Sequence, residues 1–231
     1  MSALNKRREA ARQFGAHRAQ VTARDKILMP AWIEYLACAV CAISGVLAAE
    51  GKRIDLFGVV VLALVTAVGG GTIRDVCLDT PVFWLKNPGT LLSALLAALA
   101  TFLLVRFTRL PDRALLIADA FGLALFGIVG TEKALLLGAS GVSAIVLGII
   151  TGVAGGIMRD VLRSEIPWVF QSEVRWYATT VFFGALVFVL LHRWLPHAEA
   201  NRYIGMAVIL LLRLAAMRWG LRLPVFRMRG H

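Results

Sequence analysis

This chain of 231 residues has little of what an enzyme or a disulfide scaffold needs. It holds three cysteines. Cys38 and Cys41 form a C-x-x-C inside an apolar run, and Cys77 stands apart. No histidine or second cysteine pair is near enough in sequence for a zinc site, so the thiols read as small packing residues. Ser44, Ser93, Ser140, Ser143, Ser164 and Ser172 lack a G-x-S-x-G elbow. No Walker A or dinucleotide fingerprint stands between a strand and a helix. The expectation is a protein that is not an enzyme, with no catalytic residue, metal or cofactor. Long polar stretches are also scarce. Residues 1–28, rich in Ala and Arg, lack the apolar core of a signal peptide and read as a flexible or surface-lying tail.

What is abundant is apolar. Hydrophobic residues make up 59% of the chain, against about 45–50% in soluble domains, and the mean hydropathy is +0.75. Runs of roughly 18 residues recur, the length that crosses about 30 Å of hydrocarbon. The spans fall at about 33–49, 56–73, 89–105, 114–132, 142–158, 177–192 and 203–221. Trp32, Trp84, Trp168, Trp176, Trp194 and Trp219 all lie at or just outside these edges. There an indole ring is shielded while its N–H stays wet. The reading is an all-α integral membrane protein of seven transmembrane helices.

The net charge is +11. Its cations sit in loops and tails, so lipid headgroups and topology account for them and nucleic acid does not. Lys52, Arg53, Arg106, Arg109, Arg113, Arg163, Arg175, Arg218, Arg222, Arg227 and Arg229 share the face reached after the odd-numbered spans. Lys86, Arg193 and Arg202 share the other, with seven cations of the N-terminal tail. The short loops predict a cytoplasmic C-terminus and an outside N-terminus.

Gly70-Gly71-Thr72-Ile73-Arg74-Asp75 returns 85 residues later as Gly155-Gly156-Ile157-Met158-Arg159-Asp160. The same offset, without a gap, pairs Glu34 with Asp119, Gly45 with Gly130, Thr66 with Thr151, Val68 with Val153 and Val76 with Val161. This is an internal duplication. It divides the chain into a basic tail (1–31), a first repeat (32–110), a second repeat (111–195), a seventh span (203–222) and a basic C-terminal tail (223–231). Each repeat holds three spans, an odd number, so the second enters from the opposite side. The result is two inverted three-helix repeats plus a seventh helix, a plan that points to a transport path at the repeat interface.

Gly70 lies about 20 Å along a helix begun at residue 56, inside the bilayer. Gly69, Gly70 and Gly71 cost roughly 1 kcal/mol each against alanine in a helix interior, which predicts a kink or unwinding there and at Ala154-Gly155-Gly156. Freed carbonyls at two such breaks, with Thr72 and Thr151 beside them, would suit a weakly held monovalent cation. The alternative is that the glycines only let helices pack closely. Arg74-Asp75 and Arg159-Asp160 follow the breaks, either as locally paired span ends or as anchors across the repeat interface. Glu34 and Asp119 open the first span of each repeat, as helix-start carboxylates or at a pore mouth. Glu132-Lys133 breaks the symmetry, because its repeat counterparts are Leu47 and Ala48. Lys133 must reach the interface, pair with Glu132 or face water, where it would repel cations and gate them.

These residues resemble a known family. Asp55-Leu56-Phe57-Gly58, Val68 through Val76 and Pro81-Val82-Phe83-Trp84 look like the first half of a bacterial two-repeat, glycine transporter-like membrane family. Ile117 through Ala124, Lys133-Ala134, Gly152 through Val161 and Glu165-Ile166-Pro167 look like its second half. That family is similar to the trimeric intracellular cation (TRIC) channels, over about residues 32–224. The resemblance implies a homotrimer with one pore per protomer, lined by spans two and five and passing K⁺ and Na⁺ with little selectivity. It also implies that Lys133 is the family's pore-associated lysine. Glu34 stands where the family often has Asp, and Ala154 replaces a glycine. Some bacterial relatives are described as glycine transporters, so a carrier of a small zwitterion is the rival expectation.

Overall fold

In a computed structural model, the described residues are 30–108, 111, 113–171, 176–196 and 198–220, and they hold eight α-helices and no strand. Residues 1–29 and 221–231, and the loop cations Arg109 and Arg175, lie outside them. The helices are α1 (Ala31–Ala48), α2 (Leu56–Cys77), the short α3 (Phe83–Lys86), α4 (Gly89–Phe107), α5 (Ala114–Leu136), α6 (Gly141–Leu162), α7 (Ala178–Trp194) and α8 (Ala200–Trp219). Six are long and apolar enough to cross a membrane, and α7 is a shorter apolar helix of 17 residues. The all-helical membrane architecture expected from hydropathy is the one observed.

Helix starts repeat with the sequence. Asp55 caps α2 by accepting the Gly58 N–H at 2.8 Å, and Ser140 caps α6 by accepting the Ser143 N–H at 3.1 Å. Both pairs are 85 residues apart, and each satisfies an orphan donor of the first turn. Helix ends repeat as well. After α2 the chain turns at Asp79 (φ 49°), and after α6 at Ser164 (φ 58°). Neither is glycine, so sequence patterning gave no sign of these left-handed turns. The Thr80 N–H donates to the Asp75 carbonyl and the Glu165 N–H to that of Asp160, both at 2.9 Å. Each turn leads into a short helix, α3 or the 3₁₀ segment Trp168–Phe170.

Packing follows the same symmetry. α1, α2 and α4 enclose one core with Phe126 from α5 at its edge, and α5, α6, α7 and α8 enclose another with Ile33 from α1. Across the interface α2 lies against α6, and α1 against α5. Lys52, before α2, pairs with Glu165, after α6, at 2.6 Å. The start of α2 therefore lies beside the end of α6, so the two helices run antiparallel. α4 turns Leu92, Leu96, Leu103, Leu104 and Phe107 outward, as a helix facing an apolar medium does.

The expected unwinding does not occur. α2 is helical through Gly69, Gly70 and Gly71, and α6 through Ala154, Gly155 and Gly156. Both helices also run past the expected edges, so Arg74-Asp75 and Arg159-Asp160 lie inside their ends rather than after a break. The reason is close packing, described next.

Candidate functional site: the crossing of α2 and α6

A Cβ added to Gly70 would fall onto the backbone carbonyl of Thr151, and one added to Gly155 onto that of Thr66. The two contacts are repeat mates, so the helices cross backbone to backbone on the pseudo-twofold axis. Tertiary contact here outweighs the low helix propensity of glycine. Gly45 and Gly130 extend the pattern. Their added Cβ atoms would stand 3.1 Å from Thr66 Oγ1 and 2.5 Å from Thr151 Oγ1. Both threonine hydroxyls donate to carbonyls one turn back, Leu62 and Leu147, at 2.6 Å. Gly69 is less constrained, since its Cβ would meet only the flexible Met158 side chain.

A small cavity lies at this crossing. Gly70, Thr151, Gly155, Gly156 and Asp119 line it, as do Cys41, Ser44, Thr66, Leu123, Phe126 and Gly152. It has room for about one water, so the crossing is shut to a hydrated cation in this conformation. Gly69, Gly71, Thr72, Ala154, Lys133 and Glu34 do not line it. Thr72 instead accepts the Trp84 indole N–H at 2.9 Å. Its own hydroxyl donates to the Val68 carbonyl at 2.7 Å.

A charge cluster sits at the C-terminal end of each crossing helix. In the first, Arg74 Nε donates to Asp75 Oδ1 at 2.7 Å, and Asp75 Oδ2 accepts the Phe83 N–H at 2.8 Å. The guanidinium lies 5.4 Å from the Phe83 ring centre and 3.8 Å from Glu34. In the second, Arg159 Nε donates to Asp160 Oδ1 at 2.8 Å, and Asp160 Oδ2 accepts the Trp168 N–H at 3.1 Å. That guanidinium lies 4.6 Å from the Trp168 ring and donates to Asp119 Oδ1 at 2.8 Å. Phe83 and Trp168 are again 85 apart. Each aspartate thus ties an arginine to the start of the following short helix. Arg74, Asp75, Arg159 and Asp160 are all buried, so they are internal anchors and not residues reaching for headgroups.

Two expected placements need correction. Asp119 is not at a helix start. It lies in the second turn of α5, buried, bonded to Arg159 and to the Tyr177 hydroxyl at 3.2 Å. Lys133 neither pairs with Glu132 nor snorkels. Its Nζ lies 3.0 Å from Asp75 Oδ1, across the repeat interface. Glu132 turns the other way and takes Arg202 of α8 in a two-pronged bond of 2.6 and 2.7 Å. Adjacent residues on a helix point about 100° apart, so this split is what α-geometry imposes. Sequence reasoning missed Ser44, Cys41, Tyr177 and Arg202. Cys41 carried a usable signal, since its repeat mate is Phe126 and both line the cavity.

Comparison with known proteins agrees with this fold. A family model described as glycine transporter matches the chain twice, over residues 31–106 and 116–193. The inner membrane protein UPF0126 YadS of Escherichia coli K12 is 48% identical over 198 residues, covering 84% of this chain and 95% of that one. A UPF0126 membrane protein of Vibrio cholerae is 46% identical over 196 residues, covering 84% and 81%. The solved TRIC trimeric intracellular cation channel orthologue from Rhodobacter sphaeroides superimposes with a TM-score of 0.76 at 39% identity, covering 82% of this chain and 97% of that one. A structure solved for conductance through TRIC cation channels gives 0.77 at 32% identity, with 88% and 100% covered. The chain belongs to the two-repeat membrane family that the glycine transporter model describes and whose solved relatives are TRIC cation channels.

Proposed function

We propose that this chain is a monovalent cation channel of the inner membrane, a homotrimer in which each protomer carries its own path for K⁺ and Na⁺. The observation that carries the reading is the α2–α6 crossing. Duplicated glycines and threonines meet there around a water-sized cavity, with a charge cluster toward each end. The TRIC channels that the chain resembles supply the direction of the inference. Opening requires α2 and α6 to move apart, which frees Gly70, Gly155, Thr66 and Thr151 to face water. Repeat one (32–110) and repeat two (111–195) form the halves of the path, and the seventh span (203–222) packs beside them. Lys133 holds one cluster closed. The Lys/Arg bias of the loops supports a cytoplasmic C-terminus and an outside N-terminus, with lipid headgroups as the partners of the surface cations.

The test is current through the purified protein in a planar bilayer under a KCl gradient. Discrete steps reversing near the K⁺ potential are expected, with Lys133→Ala raising open probability. Wild-type single-channel behaviour in that variant would remove the gate role. One observation favours a second reading, a carrier of glycine or a similar zwitterion. Asp119 Oδ2 and Arg159 Nη2 are buried without a hydrogen-bond partner among the described residues, an acceptor and a donor close to one cavity. Saturable glycine uptake without unitary currents would select that reading.

A further inference from the structure

The seventh span lies outside the duplication, yet two buried arginines along it lead to the two charge clusters. Near the start of α8, Arg202 grips Glu132 through both carboxylate oxygens. The next residue is Lys133, which reaches Asp75 at 3.0 Å. Eleven residues further on, the Arg213 guanidinium sits 4.8 Å from the Tyr177 ring centre, and its Nη1 donates to the Trp176 carbonyl at 3.2 Å. The Tyr177 hydroxyl donates to Asp119 Oδ1, the oxygen that also takes Arg159 Nη1. At 1.5 Å per residue the two arginines are about 16 Å apart along one helix.

Duplication alone does not supply these links. Glu132 and Lys133 have apolar counterparts in the first repeat, and α8 has no counterpart at all. A two-pronged Arg–carboxylate bond fixes orientation as well as distance. Breaking such a buried pair is resisted because it strands a charge. A stiff helix joined to a cluster at each end carries a displacement from one to the other.

We propose that α8 is a rod coupling the two clusters, with Arg202 the positioning residue for Lys133 and Arg213 the positioning residue for Tyr177 and Asp119. The proposal rests on the channel reading for its consequence, which is that the two ends of the path change state together. Its test does not depend on conduction. In a full-length background carrying Cys38→Ala, Cys41→Ala and Cys77→Ser, a single cysteine is placed by Thr72→Cys, one turn before Asp75, at one cluster or by Ser44→Cys beside Arg159 at the other. Labelling by a water-borne thiol reagent is then timed in lipid vesicles. Arg202→Gln is expected to speed labelling at both positions by about fivefold or more, and Arg213→Gln to do the same. The swap of Glu132→Arg with Arg202→Glu should return the slow rate. Tyr177→Phe serves where Arg213→Gln fails to fold, and Arg202→Lys where Arg202→Gln does. A change confined to the nearer cysteine reduces α8 to two local anchors and overturns the coupling. Silence of the wild-type protein in the bilayer would defeat the channel reading while the labelling result still decides this one.

Discussion

Gly70 and Gly155 stand where a carbonyl of the neighbouring helix occupies the place of a side chain. Gly70→Ala and Gly155→Ala should each lower stability in detergent by about 1–3 kcal/mol, the usual cost of overpacking against a rigid neighbour. Gly69→Ala should be nearly silent, because Met158 can swing away. Equal melting temperatures for all three variants would remove the close-crossing account. The aspartates divide differently. Asp75 holds Arg74 and Lys133, whereas Asp160 holds Arg159 with Arg163 at the longer distance of 4.0 Å. Asp75→Asn should therefore be the more damaging, by about 3–5 kcal/mol for the stranded buried charges. Adding Lys133→Met should recover part of that loss, which a double-mutant cycle on thermal unfolding measures. At this scale the sequence was legible where duplication doubled a signal. The paired Arg-Asp motifs and the glycines were visible, and so was the odd charge at Lys133. Its partner was not, because an ion pair spanning residues 75 and 133 leaves no local trace. Nor were Tyr177, whose counterpart in the other half is the apolar Leu92, and Arg202, which lies outside the duplication.

Among the elements, α2 and α6 were expected to kink or unwind at their glycines, and neither is unwound. Propensity argued for unwinding at three consecutive small residues, but an isolated helix has no neighbour to press against. Here the neighbour's carbonyl is the reason glycine is needed, and the backbone stays helical. The loops between elements give a pH-dependent contact. Glu165, on the exposed turn after α6, accepts a hydrogen bond from Lys52, and that bond followed by the lysine charge holds its carboxyl below the ordinary value. A depressed folded value means that the stabilising contribution is present above the unfolded carboxylate's range. It is lost as pH falls through the folded value, on the acid side of the unfolded carboxylate's range. Wild type and Glu165→Gln should accordingly differ in stability at neutral pH and low salt and converge in acid. A constant gap down to pH 3 would show that the pair carries no linked energy. The contribution is small, since both groups are exposed and salt screens them.

In the whole molecule, an almost symmetric frame carries an asymmetric set of charges. Capping residues, left-handed turns, short helices and arginine–aspartate pairs all obey the 85-residue offset. Lys133, Glu132 and α8 do not. In the proposed channel, opening at the first cluster breaks the Lys133–Asp75 pair, whereas among the described residues the second cluster has no lysine. Lys133→Ala should thus change gating without abolishing conduction, while Asp119→Asn, at the cavity itself, should reduce unitary current. Equal conductance in the two variants would place the path elsewhere. Hydropathy gave the number of spans and their order because a bilayer imposes a length on every crossing segment.

One of those lengths is short. At 17 residues, α7 rises about 26 Å, whereas the helices crossing at the site each have 22 residues. Trp194 and Arg193 close one end of α7 and Trp176 precedes the other, so the segment has little spare apolar length. Lipid must thin beside it, or its flanking side chains must stretch, and both cost fractions of a kcal/mol per ångström of mismatch. The same helix is preceded by Tyr177, the residue that touches Asp119. Vesicles of longer-chain lipid are therefore expected to strain the protein at α7, beside the second cluster.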